Sequence, residues 1–92
     1  MKKSIISNER ECFICGTTQN LHVHHIFFGV SNRKLSDKHG MWGYLCLEHH
    51  TGNTGVHRNR LADLNLKMRA QAEFEKDHTR EEFRQIFGKS YL

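Results

Sequence analysis

Histidine and cysteine are the residues of this chain whose types and spacing could do chemistry. The sequence holds eight histidines and three cysteines among its 92 residues. Both side chains bind transition metals, and histidine is also the side chain whose ordinary pKa lies nearest to neutrality. Six of the histidines fall in two short clusters, which predict metal binding, acid–base chemistry or both: His22, His24, His25, His49, His50 and His57.

Four residues have the spacing of a zinc site. Cys12 and Cys15 form a Cys-x-x-Cys pair followed by glycine, and Cys46 and His49 form a second pair. Two such knuckles supply the four ligands of tetrahedral zinc and leave no open position, so we assign the set to folding. Structural zinc contributes about 10–16 kcal/mol in apparent terms, more than the net stability of a small domain. The alternative is three buried free cysteines without a metal.

The remaining histidines follow a different pattern, because two of them are adjacent on a predicted strand. Consecutive strand residues point to opposite faces, so His24 can face a metal while His25 faces another space. Phosphodiester hydrolysis needs a divalent ion at the scissile phosphate and a base of near-neutral pKa. We therefore predict His24 as a ligand and His25 as the base, with His50 and His57 as candidates to complete the shell. We interpret His22 as a neighbour on the strand rather than a ligand.

These motifs resemble the HNH endonuclease family. The resemblance covers about residues 12–60 and rests on the upstream Cys-x-x-Cys pair, on His24-His25-Ile26 and on Leu45-Cys46-x-x-His49-His50. It implies a ββα-metal fold, in which a two-stranded hairpin and a helix surround one catalytic ion. The continuation Gly55-Val56-His57-Arg58-Asn59 is similar to a small phage-type branch, which includes recombination-associated members.

The resemblance also implies roles for individual residues. His24 and His50 would hold the catalytic divalent ion, which could be Mg²⁺, Mn²⁺, Ni²⁺ or Zn²⁺, and His25 would be the general base that activates water. This sequence departs from the family's pattern at two places. A further ligand usually follows the His50 position by one helical turn, where this sequence has Thr54, so His57 is the replacement candidate.

The second departure concerns the residue that orients the base. The family's middle asparagine would fall in the stretch 39–44, which contains no asparagine. His39 is a weak substitute at that place. Without this asparagine, the chain could also be a degenerate nuclease.

Hydrophobic patterns indicate the elements that must position these residues. Strands are predicted over 21–28 and 42–46, and they could form a hairpin joined by a polar, basic loop over 30–41. A long helix is predicted from 56 to about 76, with one apolar stripe made of Val56, Leu61, Leu64, Met68 and Ala72. A capping box at Thr79 predicts a last helix that ends near Gly88.

The predicted fold class is α+β, with a small zinc-stabilised ββα-metal core and additional C-terminal helices. We expect one nuclease-like domain over 1–92, with its core at about 12–60 and a helical tail at about 61–92. The last helix carries Phe83, Ile86 and Phe87 on one side. That side packs on the core or, alternatively, forms a docking surface for a second copy or a larger assembly.

Charge indicates the class of partner. The net charge is +4. Residues 1–70 hold 10 Lys/Arg against 5 Asp/Glu, whereas residues 71–92 hold 4 against 5. The excess beside the His/Cys clusters favours nucleic acid, and the candidate contacts are Arg33, Lys34 and Arg58. A solvated basic surface is the alternative for each of these cations.

The hydropathy of the chain bears on its compartment. No apolar run approaches the roughly 20 residues that span a bilayer, and the N-terminus has no signal-peptide pattern. We therefore expect no membrane partner and a cytoplasmic location, in the bacterial host if the chain is phage-encoded. Phage recombination or packaging proteins are candidate partners.

Two functional hypotheses follow from the sequence. The leading one is a metal-dependent endonuclease that hydrolyses phosphodiester bonds in nucleic acid, with DNA as the expected substrate. The alternative is a non-catalytic zinc-binding module that binds nucleic acid or protein. Such a module would need the Cys/His set but neither His25 nor His50, and it would bind one zinc ion without a second, weaker divalent ion.

Overall fold

The computed structural model describes residues 2–92 and shows an α+β arrangement of a two-stranded antiparallel hairpin and helices. The predicted α+β class and the hairpin are confirmed, but the first strand ends at His25 rather than at residue 28. None of the helices within residues 2–92 is long and apolar enough to cross a bilayer. In chain order, the elements are β1 (Leu21–His25), α1 (Val30–His39), β2 (Trp42–Cys46), α2 (Leu47–His50), α3 (Arg60–Phe74) and α4 (Arg80–Phe87).

The hairpin sets the directions of the histidines in β1. Its register pairs His24 with Gly43 and His25 with Trp42. Because side chains alternate along a strand, His22 and His24 share one face of the hairpin and His25 lies on the other. The regular pairing of β1 is the condition under which the two adjacent histidines are predicted to point in opposite directions.

The connection between the strands is a helix rather than the polar loop that the sequence predicts. Helix α1 begins after Gly29 and ends at Gly40, whose φ of 70° is left-handed. The buried hydroxyl of Ser36 donates to the carbonyl of Phe27 at 2.7 Å and accepts from its N–H at 3.1 Å. The prediction is wrong because α1 is polar along most of its length and buries this serine, so its sequence shows no apolar period.

Helix α2 is a single turn that carries two histidines in different directions. Adjacent helical residues are about 100° apart, so His49 and His50 face different neighbours. The chain then folds back, since the N–H of Val56 donates to the carbonyl of His49 at 2.9 Å and that of His57 to His50 at 3.3 Å. A Cβ at Gly55 would lie 2.8 Å from the carbonyl carbon of His50, so this return requires glycine.

Helix α3 begins later and buries a different face than predicted. Its N-cap is Asn59, whose side chain accepts from the N–H of Ala62 at 3.1 Å. Val56 is buried, but it lies in the loop before the helix. A helical repeat counted from Val56 therefore predicts the wrong buried face for α3. Leu61, Met68 and Ala72 of that stripe are exposed, whereas the buried residues of α3 are Leu66, Ala70, Gln71 and Phe74.

The last helix follows the sequence prediction. Thr79 and Glu82 form the capping box, and α4 ends at a left-handed glycine. Phe83 and Phe87 are buried against Phe27, with ring centroids 5.5 and 4.4 Å away. The predicted packing of α4 on the core is therefore confirmed, and one hydrophobic cluster joins residues of the segment 12–60 to residues of the tail.

Leu66 and Leu61 provide a matched test of which face of α3 is buried. Leu66 is 5% exposed and Leu61 is 71% exposed. Leu66→Ala should lower the free energy of unfolding by about 2–5 kcal/mol, because it loses apolar burial and leaves a cavity. Leu61→Ala should change it by less than about 0.5 kcal/mol. Urea unfolding followed by circular dichroism measures both, and equal losses would contradict this burial.

Candidate active site

The first group of candidate ligands is the one that the spacing predicts. One ligand atom from each of Cys12, Cys15, Cys46 and His49 lies within 4.8 Å of the others. The Nδ1 of His49 is 3.3 Å from the Sγ of Cys46 and 3.7 Å from that of Cys12. Tetrahedral zinc with ordinary bond lengths would separate such ligand atoms by about 3.6–3.8 Å. The closed group is therefore compatible with structural zinc.

The fold builds this closed group from a loop and the end of the hairpin. The N–H of Phe13 donates to the carbonyl of Tyr44 in β2 at 2.8 Å, which docks the first knuckle beside the second. Burial alone would raise the pKa of the Cys12 thiol, but backbone N–H groups, first those of Cys15 and Cys46, lower that pKa to about 6. The thiolate form, which is the form that binds metal, is thereby favoured.

The second group joins three histidines from β1, α2 and the loop before α3. One ring nitrogen from each of His24, His50 and His57 lies within 4.8 Å of the others. The Nε2 atoms of His50 and His57 are 3.2 Å apart. Imidazole nitrogens on tetrahedral zinc would be about 3.3 Å apart. Thr54 does not join them, because its hydroxyl donates to the carboxylate of Glu48 at 2.7 Å.

His24 supplies the most direct indication of a ligand. Its side chain is 2% exposed, and its Nε2 is buried without a hydrogen-bond partner among the residues that the structure describes. Leaving such an atom unpaired costs roughly 1–3 kcal/mol. Burial, followed by the nearby His50 and His57, lowers the pKa of His24 to about 3, and burial also lowers the pKa of His50. Neutral imidazoles are the form that binds metal ions, so the three-histidine group fits one.

His25 contacts a carboxylate that no sequence motif indicates. The Nε2 of His25 lies 2.6 Å from the Oδ1 of Asp37. A carboxylate at Nε2 holds the proton there and leaves the lone pair of Nδ1 free to accept another. Asp37 lies in α1, which the sequence predicts as a loop, so no periodicity pointed to it. The one available signal was that Asp37 is the single acidic residue of segment 30–41.

His39, the substitute considered for the family's asparagine, lies away from this site. Its ring centroid is 6.4 Å from that of Phe74 and 6.2 Å from that of Phe87. Side chains two positions apart in a helix differ in direction by about 200°. His39 and Asp37 therefore point to nearly opposite sides of α1. Asp37, rather than His39, therefore contacts the predicted base.

A cleft of about 260 Å³ connects His25 to the three-histidine group. Arg33, one of the three predicted substrate contacts, also lines it. Lys34 and Arg58 are exposed, the first on α1 and the second in the loop before α3. The complete lining consists of Val23, His24, His25, Phe28, Arg33, His50 and His57.

Comparisons of this chain with models of protein families, with curated proteins and with solved structures each find no match. The function is therefore inferred from the geometry of the side chains. That geometry comprises a closed group of four candidate zinc ligands, a three-histidine group at a cleft, and a further histidine that lines the same cleft and contacts a carboxylate.

The two ligand groups differ in what they contribute to folding. Cys46→Ser removes a thiolate of the closed group, so it should abolish tight zinc binding and cooperative thermal unfolding. His57→Ala removes an exposed side chain, so it should retain one zinc ion and change the free energy of unfolding by less than about 1 kcal/mol. Mass-spectrometric metal analysis and thermal scans test both. A Cys46→Ser protein with wild-type zinc content and melting temperature would contradict the assignment.

Proposed function

We propose that the protein is a metal-dependent endonuclease of the HNH type that hydrolyses phosphodiester bonds in nucleic acid, with DNA as the expected substrate. The observation that carries the proposal is the shared cleft, which His25 lines together with the three-histidine group. Phosphodiester hydrolysis needs an ion at the scissile phosphate and a base nearby. A non-catalytic zinc module would have no use for either feature.

The three-histidine group would hold the catalytic divalent ion. Three protein ligands beside an open cleft are the usual ligand count of catalytic zinc sites. Imidazole suits Zn²⁺ and Ni²⁺, whereas Mg²⁺ prefers oxygen ligands. The three histidines therefore favour Zn²⁺ or Ni²⁺ among the expected ions. When bound, the ion would neutralise the scissile phosphate and stabilise the leaving oxygen.

His25 would act as the general base through Nδ1. Because Asp37 engages Nε2 at 2.6 Å, Nδ1 is the ring nitrogen left to take a proton from the attacking water. Protonation at Nδ1 gives an imidazolium ion, and the adjacent carboxylate stabilises that positive charge. Asp37 would thereby do for His25 what the asparagine does in the family that the sequence resembles.

Cations at and beside the cleft would hold the nucleic acid. Arg33 lines the cleft, so its guanidinium would contact a phosphate next to the scissile one. Lys34 and Arg58 each follow a residue that lines the cleft, and they would extend this basic surface. Phosphate contacts position the backbone without reading bases, so we expect weak sequence preference.

Zinc at the closed group would hold the ββα-metal core, formed by β1, β2 and α2. Its ligand His49 is adjacent to His50 on the single turn α2. An ion that fixes His49 therefore also limits where the His50 ring can point. In this way a structural zinc ion would help to assemble the catalytic ligand set.

A cleavage assay with a matched histidine variant tests the proposed activity. His25→Ala should lower the cleavage rate about 10²–10⁴-fold, because it removes the general base. His39→Ala, which changes a histidine of α1 outside the cleft, should leave the rate within about twofold of wild type. Supercoiled plasmid and single-stranded DNA are each incubated with Mg²⁺, Mn²⁺, Ni²⁺ or EDTA, and the products are resolved on gels.

The outcomes of this assay separate the competing functions. Cleavage that needs a divalent ion and that His25→Ala abolishes, with its zinc content unchanged, supports the nuclease. Absence of cleavage by zinc-loaded wild type with every ion would favour the binding module. Equal rates for wild type and His25→Ala would show that His25 is not the base.

Asp37 provides a second test that separates orientation from binding. Asp37→Ala should lower kcat roughly 10–100-fold, a smaller loss than that of His25→Ala, because the imidazole stays but its tautomer is no longer fixed. Divalent-ion affinity should be unchanged, since Asp37 contacts the base and not the three-histidine group. Asp77→Ala, an exposed aspartate outside the cleft, is the control. Loss of ion affinity in Asp37→Ala would contradict this role.

A further inference from the structure

A fourth histidine contacts the three-histidine group without belonging to it. The Nδ1 of His22 lies 3.0 Å from the Nδ1 of His50, and the two rings meet at 74°. The other nitrogen of His50, Nε2, faces His57 at 3.2 Å. His22 therefore approaches His50 at the ring nitrogen that does not face His57.

The proton between the two Nδ1 atoms can be placed by elimination. At 3.0 Å, one of the two atoms must donate and the other must accept, because each neutral imidazole has one N–H and one lone pair. If Nε2 of His50 binds an ion, that nitrogen carries no proton. His50 then keeps its proton on Nδ1 and donates it to His22, which accepts at Nδ1 and holds its own proton on Nε2.

We propose that His22 is a positioning residue for the metal ligand His50. The inference rests on the proposed function, since it takes the three-histidine group as an ion site. A hydrogen-bond partner on the second nitrogen of a ligating histidine fixes its tautomer and ring rotation and increases its basicity as a ligand. The alternation of β1 explains the placement, because His22 and His24 lie two residues apart on one strand face.

A histidine as the hydrogen-bond partner of His50 affects the net charge around a bound ion. Ligating histidines commonly donate to a carboxylate or a backbone carbonyl. An imidazole that accepts at Nδ1 and keeps its proton on Nε2 has no charge, and imidazoles that ligate an ion are neutral as well. Such a set leaves the full charge of a divalent ion available to an anionic phosphate, which suits the substrate class of the proposed function.

Two nearly isosteric substitutions test the inference through ion affinity. His22→Asn keeps an acceptor, since the asparagine Oδ1 can occupy about the place of the imidazole Nδ1. His22→Leu introduces a side chain of nearly the same shape as asparagine but without an acceptor. Ni²⁺ is titrated calorimetrically into the zinc-loaded full chain, and His57→Ala identifies the heat that belongs to the three-histidine group. His22→Leu should weaken Ni²⁺ affinity about 10–100-fold, while His22→Asn should stay near wild type.

The controls distinguish failure of the inference from failure of the proposed function. Zinc content and melting temperature should match wild type in both variants, and His22→Val replaces His22→Leu if the leucine protein does not fold. Wild type that binds no Ni²⁺ beyond what His57→Ala binds would overturn the ion site and with it the proposed function. Wild-type affinity in both variants would overturn the role of His22 alone, as would equal losses in both, which would indicate packing or direct ligation.

Discussion

The single turn α2 connects the two ligand groups, and their geometry depends on it. His49 points into the closed group and His50 into the three-histidine group, and since the residues are adjacent, the orientation of one restricts the other. Four residues do not form a stable helix by themselves, because helix nucleation is unfavourable. The turn is held by its neighbours: β2 runs directly into it, and the chain returns over it at Gly55, where only glycine fits.

The hairpin depends on packing by other elements for its stability. Two strands of five residues are marginal in water without further packing. That packing comes from the chain immediately after β1, where Phe27 meets Phe83 and Phe87 of the last helix. The tail that the sequence shows as separate from the His/Cys motifs therefore supports the strand that carries His24 and His25.

The features that the sequence predicts are those with local or spacing-fixed determinants. The capping box at Thr79 needs residues three positions apart, and the closed group follows from pair spacing. His24 follows from strand alternation, whereas, apart from the family resemblance, His50 and His57 are candidates only because they are histidines that the closed group does not use. Helix α1 and the buried face of α3 escape prediction because tertiary contacts decide them, such as the hydrogen bonds of Ser36. Asp37 escapes for the same reason, since its importance comes from a contact with His25 rather than from a motif.

Sequence separation divides the site into parts that assemble differently. His25 and Asp37 are 12 residues apart and belong to one continuous strand–helix unit, whereas Cys12 and His49 are 37 apart and His22 and His50 are 28 apart. Contacts between distant residues require larger loops to close, and each closure costs chain entropy before any contact compensates it. We therefore expect His25 and Asp37 to come together early in folding, while both groups of candidate ligands form only after β2 and α2 dock. The proton-accepting pair of the proposed mechanism would then be in place before either group of candidate metal ligands.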